Sequence, residues 1–142
     1  VETPEIPLSV YKKEGCFKLY ASDSGILVSM VGFPAVKAIL DNTLKGFAKG
    51  GIYENAIMSL LVRRGYTPYY FHPKSNLSEI DFLIEGDNGV IPIEVKSGND
   101  SSASFDRFLE RPETKIGYKF VNGNLGKSGK KVTLPHYMAM FV

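Results

Sequence analysis

Two apolar runs, Ile80-Asp81-Phe82-Leu83-Ile84 and Val90-Ile91-Pro92-Ile93-Glu94-Val95-Lys96, flank the segment Gly86-Asp87-Asn88-Gly89 and predict a β-hairpin. The strongest helical period runs from about Phe47 to Arg64 and stops at Gly65, a residue suited to end a helix. Its apolar stripe is Phe47, Gly50 or Gly51, Ile57, Met58, Leu61 and Val62, and Glu54 falls in the centre of that stripe. A helix glutamate bound for solvent belongs on the other face, so Glu54 is expected to point toward the sheet.

Weaker patterns fill in the rest. Phe17-Lys18-Leu19-Tyr20 is expected as a short strand, followed by a helix capped by Ser22 or Asp23 that runs through Ile26, Leu27 and Met30 to Gly32. Residues 35–45 predict a helical turn or two, Tyr69-Tyr70-Phe71 a strand, and residues 101–111 a short helix with Phe105, Phe108 and Leu109 one turn apart. Gly117 to Asn122 and Tyr137 to Val142 are expected as the last strands. Residues 1–16, with Pro4, Pro7 and scattered charges, are expected as a linker, and 17–142 as one domain. The element order predicts an α/β domain, a mixed sheet flanked by helices.

The hairpin carries the chemistry. Strand side chains alternate, so Glu94 and Lys96 share a face. With Asn88-Gly89 as the two-residue turn, Leu83 pairs with Glu94 and Asp81 with Lys96, and all three charges converge on one face. Charges inside apolar strands cost free energy unless paired, hydrated or metal-bound. Two carboxylates one strand apart, with Glu54 from a packed helix, make an oxygen cage suited to Mg²⁺ or Mn²⁺. Lys96 is then placed to hold an attacking water or to neutralise charge developing on a phosphate. The plainer alternative is a cross-strand Asp81–Lys96 ion pair, worth about 0.2–1 kcal/mol. Pro92 implies a bulge or one unpaired side of its strand.

Composition changes this picture little. The 142 residues are 44% hydrophobic and 23% charged, with a net charge of +2, which does not by itself argue for a polyanionic partner. From Thr114 onward, however, Lys115, Lys119, Lys127, Lys130 and Lys131 meet no acidic residue, a distribution compatible with a phosphate-bearing ligand, although a solvated loop is the commoner explanation of such a run. Cys16 is the only cysteine, which excludes an intrachain disulfide or a cysteine metal cluster and makes a reducing, cytoplasmic setting the expectation. No apolar run reaches the roughly 18 residues of a membrane span.

Several tempting signals lead nowhere. Gly123-Asn124-Leu125-Gly126-Lys127-Ser128 lacks a phosphate-loop glycine, since Val121 stands in its place, and is expected as a polar hairpin loop. His72 and His136 have no second ligand at zinc spacing, Ser75 and Ser97 have no activating histidine, and Cys16 has no evident partner. Tyr69, Tyr70 and Phe71 are expected to fill the sheet rather than stack on bases.

The helix glutamate, strand aspartate and Glu-x-Lys, in that order, resemble the PD-(D/E)XK nuclease superfamily with its restriction-endonuclease-like fold. The segments Phe17–Leu27, Gly51–Asn55, Ser78–Glu85 and Ile91–Gly98 are more narrowly similar to the C-terminal domain of unknown function of prokaryotic AAA+ ATPases. The resemblance implies that Asp81 and Glu94 bind a divalent metal, Mg²⁺ or Mn²⁺, that Glu54 assists, and that Lys96 is the catalytic lysine. It further implies DNA or RNA as substrate and an ATPase module upstream of Val1. The alternative it leaves open is a non-catalytic nucleic-acid- or protein-binding module of that ATPase.

Overall fold

The computed structural model describes residues 1–73, 79–98 and 101–142, without the side chain of Phe47. Ser75, Ser78, Asn99 and the Phe47 position of the apolar stripe lie outside what is described. The alternating hairpin forms β2 (Ile80–Gly86) and β3 (Gly89–Val95), the second and third strands of a six-stranded mixed sheet. Beside β2 runs β1 (Tyr69–Phe71), and beside β3 runs β4 (Gly117–Val121) in parallel, reached through helix α4 (Ala103–Leu109). The far edge is β6 (Lys131–Pro135), parallel to β4, then β5 (Gly126–Ser128), antiparallel to β6. Before the sheet come α1 (Ser24–Val31), α2 (Phe33–Leu40) and the long α3 (Gly46–Arg63).

The period-2 alternation splits the core into two layers. Phe82, Ile84, Ile93, Val95, Phe120 and Leu134 pack under Ile57 and Leu61 of α3. Leu83 and Val90 pack on the other side with Phe105, Phe108 and Leu109 of α4. Burial of such side chains, at about 25 cal/mol per Å² of apolar surface, is what holds the helices on the sheet. α3 ends where Gly65 takes a φ of 90°, a conformation that favours glycine. Asp23 caps α1, its Oδ1 accepting from the backbone N–H of Gly25 at 2.7 Å and of Ile26 at 3.3 Å.

The hairpin turn sits one residue earlier than expected. Asp87-Asn88 turns the chain and Gly86 pairs with Gly89, so Leu83 lies opposite Pro92 rather than Glu94. Gly89, at φ 123°, is the residue that takes the unusual conformation after the turn, and glycine is favoured there. Because both arms slip together, each residue's partner moves by two positions, and the two-residue period keeps Asp81 and Glu94 on their expected face. The same register carried one step past Phe82–Ile93 sets Asp81 opposite Glu94, not Lys96. Pro92 fits because pairing of β3 with β4 begins only at Ile93, so no ladder bond is required of its nitrogen on that side.

The structure departs from the expectations for five segments. Phe17–Tyr20 belongs to no strand; the Lys18 and Tyr20 side chains and the next N–H, of Ala21, bond to Glu54 and Asn55 of α3 instead. The second helical segment starts earlier and ends earlier than 35–45: Pro34 suits a helix's first turn, and Asn42 adopts a φ of 52° beyond its end. Tyr137–Val142 is not a strand. A 3-10 helix spans His136–Phe141 after Pro135 and sets Ala139 into the α3 layer, while the last strands come from the lysine-rich segment before it. The stretch from Gly123 to Ser128, expected as a loop, supplies the short edge strand β5. Residues 1–16, expected as a linker, hold a 3-10 helix at Leu8–Tyr11, and Val1 and Leu8 join the α4-side core.

Candidate metal centre

At the end of the β2–β3 ladder, the Asp81 carboxylate does the work of a strand carbonyl: its Oδ2 accepts the Val95 N–H at 2.8 Å. Glu94 lies beside it, 4% exposed, with Lys96 Nζ 2.6 Å from its Oε1. The second oxygen, Glu94 Oε2, is buried and has no hydrogen-bond partner among the described residues. An unsatisfied buried oxygen costs about 1–3 kcal/mol, more when charged, unless something external completes it.

The electrostatics of the pair agree. Burial, and then the charge of Glu94, push the Asp81 carboxyl up to about 7, against the opposing effect of the Val95 N–H. Glu94 is also raised, by burial above all, although Lys96 pulls it the other way. Two acids that resist ionisation side by side are relieved by a cation.

Glu54 is engaged by other groups. It points inward as expected, but it meets Tyr20 and Lys18 rather than open space. The Tyr20 hydroxyl donates a short hydrogen bond to Glu54 Oε1, and Lys18 Nζ lies 3.3 Å from the same oxygen. The Tyr20 ring packs on Phe82, 5.7 Å between centroids, so this tyrosine bridges α3 to the sheet. Burial and the bond to Glu54 raise the Tyr20 phenol, which stays protonated and keeps donating. Next to Glu54, Asn55 Oδ1 accepts the Ala21 N–H at 2.8 Å, so consecutive α3 residues tie down the segment from Lys18 to Ala21. The Glu54 charge still contributes to raising Asp81. Among the described residues no group of three His, Cys, Asp or Glu is arranged to hold a metal. The two carboxylates that lie together, and that would have to serve as donors to a metal, are Asp81 and Glu94. That number suits Mg²⁺, which typically takes one or two carboxylates and fills its shell with water and substrate phosphate.

Three residues around the site escaped the sequence. Lys119 of β4 pairs in register with Glu94 and is 8% exposed. Burial first, then Lys131, lowers its pKa. The signal was present, a charge inside the apolar run Gly117–Val121, the same cue that marks Asp81. His136, dismissed as a zinc ligand, donates from Nε2 to the Lys96 carbonyl at 2.8 Å and stacks on Tyr53 at 4.2 Å. Lys18 carries no local signal at all, since only the folded chain brings it to Glu54.

A family model described as "Domain of unknown function (DUF4143)" matches residues 49–136, more than half of the chain. The chain belongs to this family. The matched DUF4143 span contains Glu54, Asp81, Glu94, Lys96, Lys119 and His136, and leaves out Lys18 and Tyr20. No curated protein and no solved structure matches the chain. Among the described residues no helix is long and apolar enough to cross a membrane.

Proposed function

We propose that this chain is a divalent-metal-dependent, nuclease-like domain that hydrolyses phosphodiester bonds in DNA or RNA. The observation that supports it best is the buried Glu94 carboxylate, with Lys96 on one oxygen, no partner among the described residues on the other, and Asp81 alongside. Asp81 and Glu94 Oε2 would hold Mg²⁺ or Mn²⁺. When bound, that ion supplies positive charge to the scissile phosphate and acidifies a coordinated water.

The chain's own groups supply the rest. Lys96, held against Glu94, orients an attacking water or offsets charge on the phosphate. Asp81 is fixed in direction by the Val95 N–H. His136 pins the backbone of Lys96 as the strand ends. Lys119 adds positive charge on the Glu94 side, which favours a polyanion over a neutral substrate. Attachment to an upstream AAA+ ATPase, in a reducing cytoplasm, rests on the resemblance of residues 17–98 and on the lone Cys16.

The second reading, a non-catalytic nucleic-acid- or protein-binding module of that ATPase, is favoured by one feature: Glu54 is already engaged by Tyr20 and Lys18. Cleavage of supercoiled plasmid and of RNA in Mg²⁺ or Mn²⁺ separates the two. The enzymatic reading expects Glu94→Gln and Lys96→Met each to lower the rate by about a hundredfold or more. Cleavage that persists unchanged in both variants comes from a contaminant and defeats it. Absence of cleavage together with no calorimetric heat at millimolar Mn²⁺ favours the binding module.

A further inference from the structure

We propose that the site takes a single divalent ion per chain, because the Lys18 ammonium fills the place of a second. This deepens, and rests on, the assignment of Asp81 and Glu94 as the ion's ligands. Two-metal phosphodiesterases hold their ions about 3.5–4 Å apart, which needs further oxygens around a shared carboxylate. Two other carboxylates act on the pair: the charge of Glu54 bears on Asp81, and that of Glu79 on Glu94.

Both are taken by one side chain. Lys18 Nζ lies 3.3 Å from Glu54 Oε1 and 3.1 Å from Glu79 Oε1. Its charge also reaches Asp81. The lysine is not a passing surface group: its side chain is 28% exposed, and the ammonium lies 5.4 Å from the centroid of the Tyr70 ring. Tyr20, two residues on, donates to the same Glu54 oxygen and anchors the segment on Phe82. A second divalent ion would have to expel an ammonium shared by two carboxylates and break the tyrosine bond.

Charge balance leads the same way. Lys18, Lys96 and Lys119 with one divalent ion already outweigh Glu54, Glu79, Asp81 and Glu94. The surplus suits a phosphodiester anion, whereas another divalent ion would meet net repulsion. Lys18 is thus a positioning residue that keeps Glu54 out of the ion's shell.

The test counts Mn²⁺ on the full chain at pH 8, by loss of the free-ion electron paramagnetic resonance signal and by calorimetry. Wild type is expected to bind one ion. Lys18→Met, which removes the ammonium shared by Glu54 and Glu79 and leaves only the Tyr20 bond on Glu54, is expected to gain a second, about tenfold or more weaker than the first, while Lys18→Arg stays at one. Two ions on wild type overturn the inference and leave the metal reading standing. So does a folded Lys18→Met protein, verified by its melting transition, that still binds one. A wild-type count of zero removes the metal reading itself and this inference with it.

Discussion

Lys96 Nζ sits 2.6 Å from Oε1 of Glu94, while Oε2 of the same carboxylate is buried without a partner among the described residues. A structural ion pair inside a sheet is expected to satisfy both oxygens, because half-satisfied buried charges are expensive. The asymmetry makes sense for a group whose second oxygen meets a ligand. Such a group leaves its mark on stability, on pH dependence and on the response to metal.

Asp81→Asn should stabilise the metal-free protein at pH 8 by about 1–2 kcal/mol, several degrees in melting temperature. The amide oxygen still accepts the Val95 N–H, while burial of a charge next to Glu94 is removed. Thermal melting decides this, and a clear loss of stability in Asp81→Asn would show that the carboxylate is structural.

The pH dependence has a definite sign. Asp81 rises from an ordinary value of about 3.9 when unfolded to about 7 when folded. The folded state therefore holds that proton more tightly, and its contribution is complete below pH of about 4 and lost as pH rises through about 7. Metal-free wild type should lose stability between pH 5 and pH 8, with the slope flattened in Asp81→Asn. Denaturant midpoints across that range test it; identical slopes in the two proteins would contradict the raised Asp81.

Mn²⁺ should raise the melting temperature more at pH 8 than at pH 5.5, since it competes with protons for the same carboxylates. At a hundredfold excess over its dissociation constant the gain is about 2.7 kcal/mol. Glu94→Gln should abolish most of it, while Glu54→Gln leaves it nearly intact because Glu54 faces Tyr20 and Lys18. Equal losses in the two variants would mean that Glu54 joins the ion's shell.

Gly117→Ala should destabilise the fold by about 1–3 kcal/mol through overpacking. An added Cβ would come within 2.6 Å of Leu109 Cδ2, 3.0 Å of Pro92 Cγ and 3.1 Å of Phe105 Cζ, where α4 meets β3 and β4. Urea denaturation measures the change, and a neutral result would show that α4 shifts freely on the sheet.

The amino-acid sequence by itself determined the hairpin, the long helix and the face on which Asp81 and Glu94 meet. Those depend on periods of 2 and 3.6 that each segment carries within itself, and a one-position error in the turn left the face unchanged because partners move in twos. Only the tertiary structure decided that Asp81 faces Glu94 rather than Lys96, that Lys119 stands beside Glu94, and that Tyr20 and Lys18 occupy Glu54. It also decided that Val1 and Leu8 enter the core and that the final apolar segment coils instead of pairing. Each of those outcomes depends on which distant segment arrives as a neighbour, and a local pattern of polar and apolar positions holds no record of that.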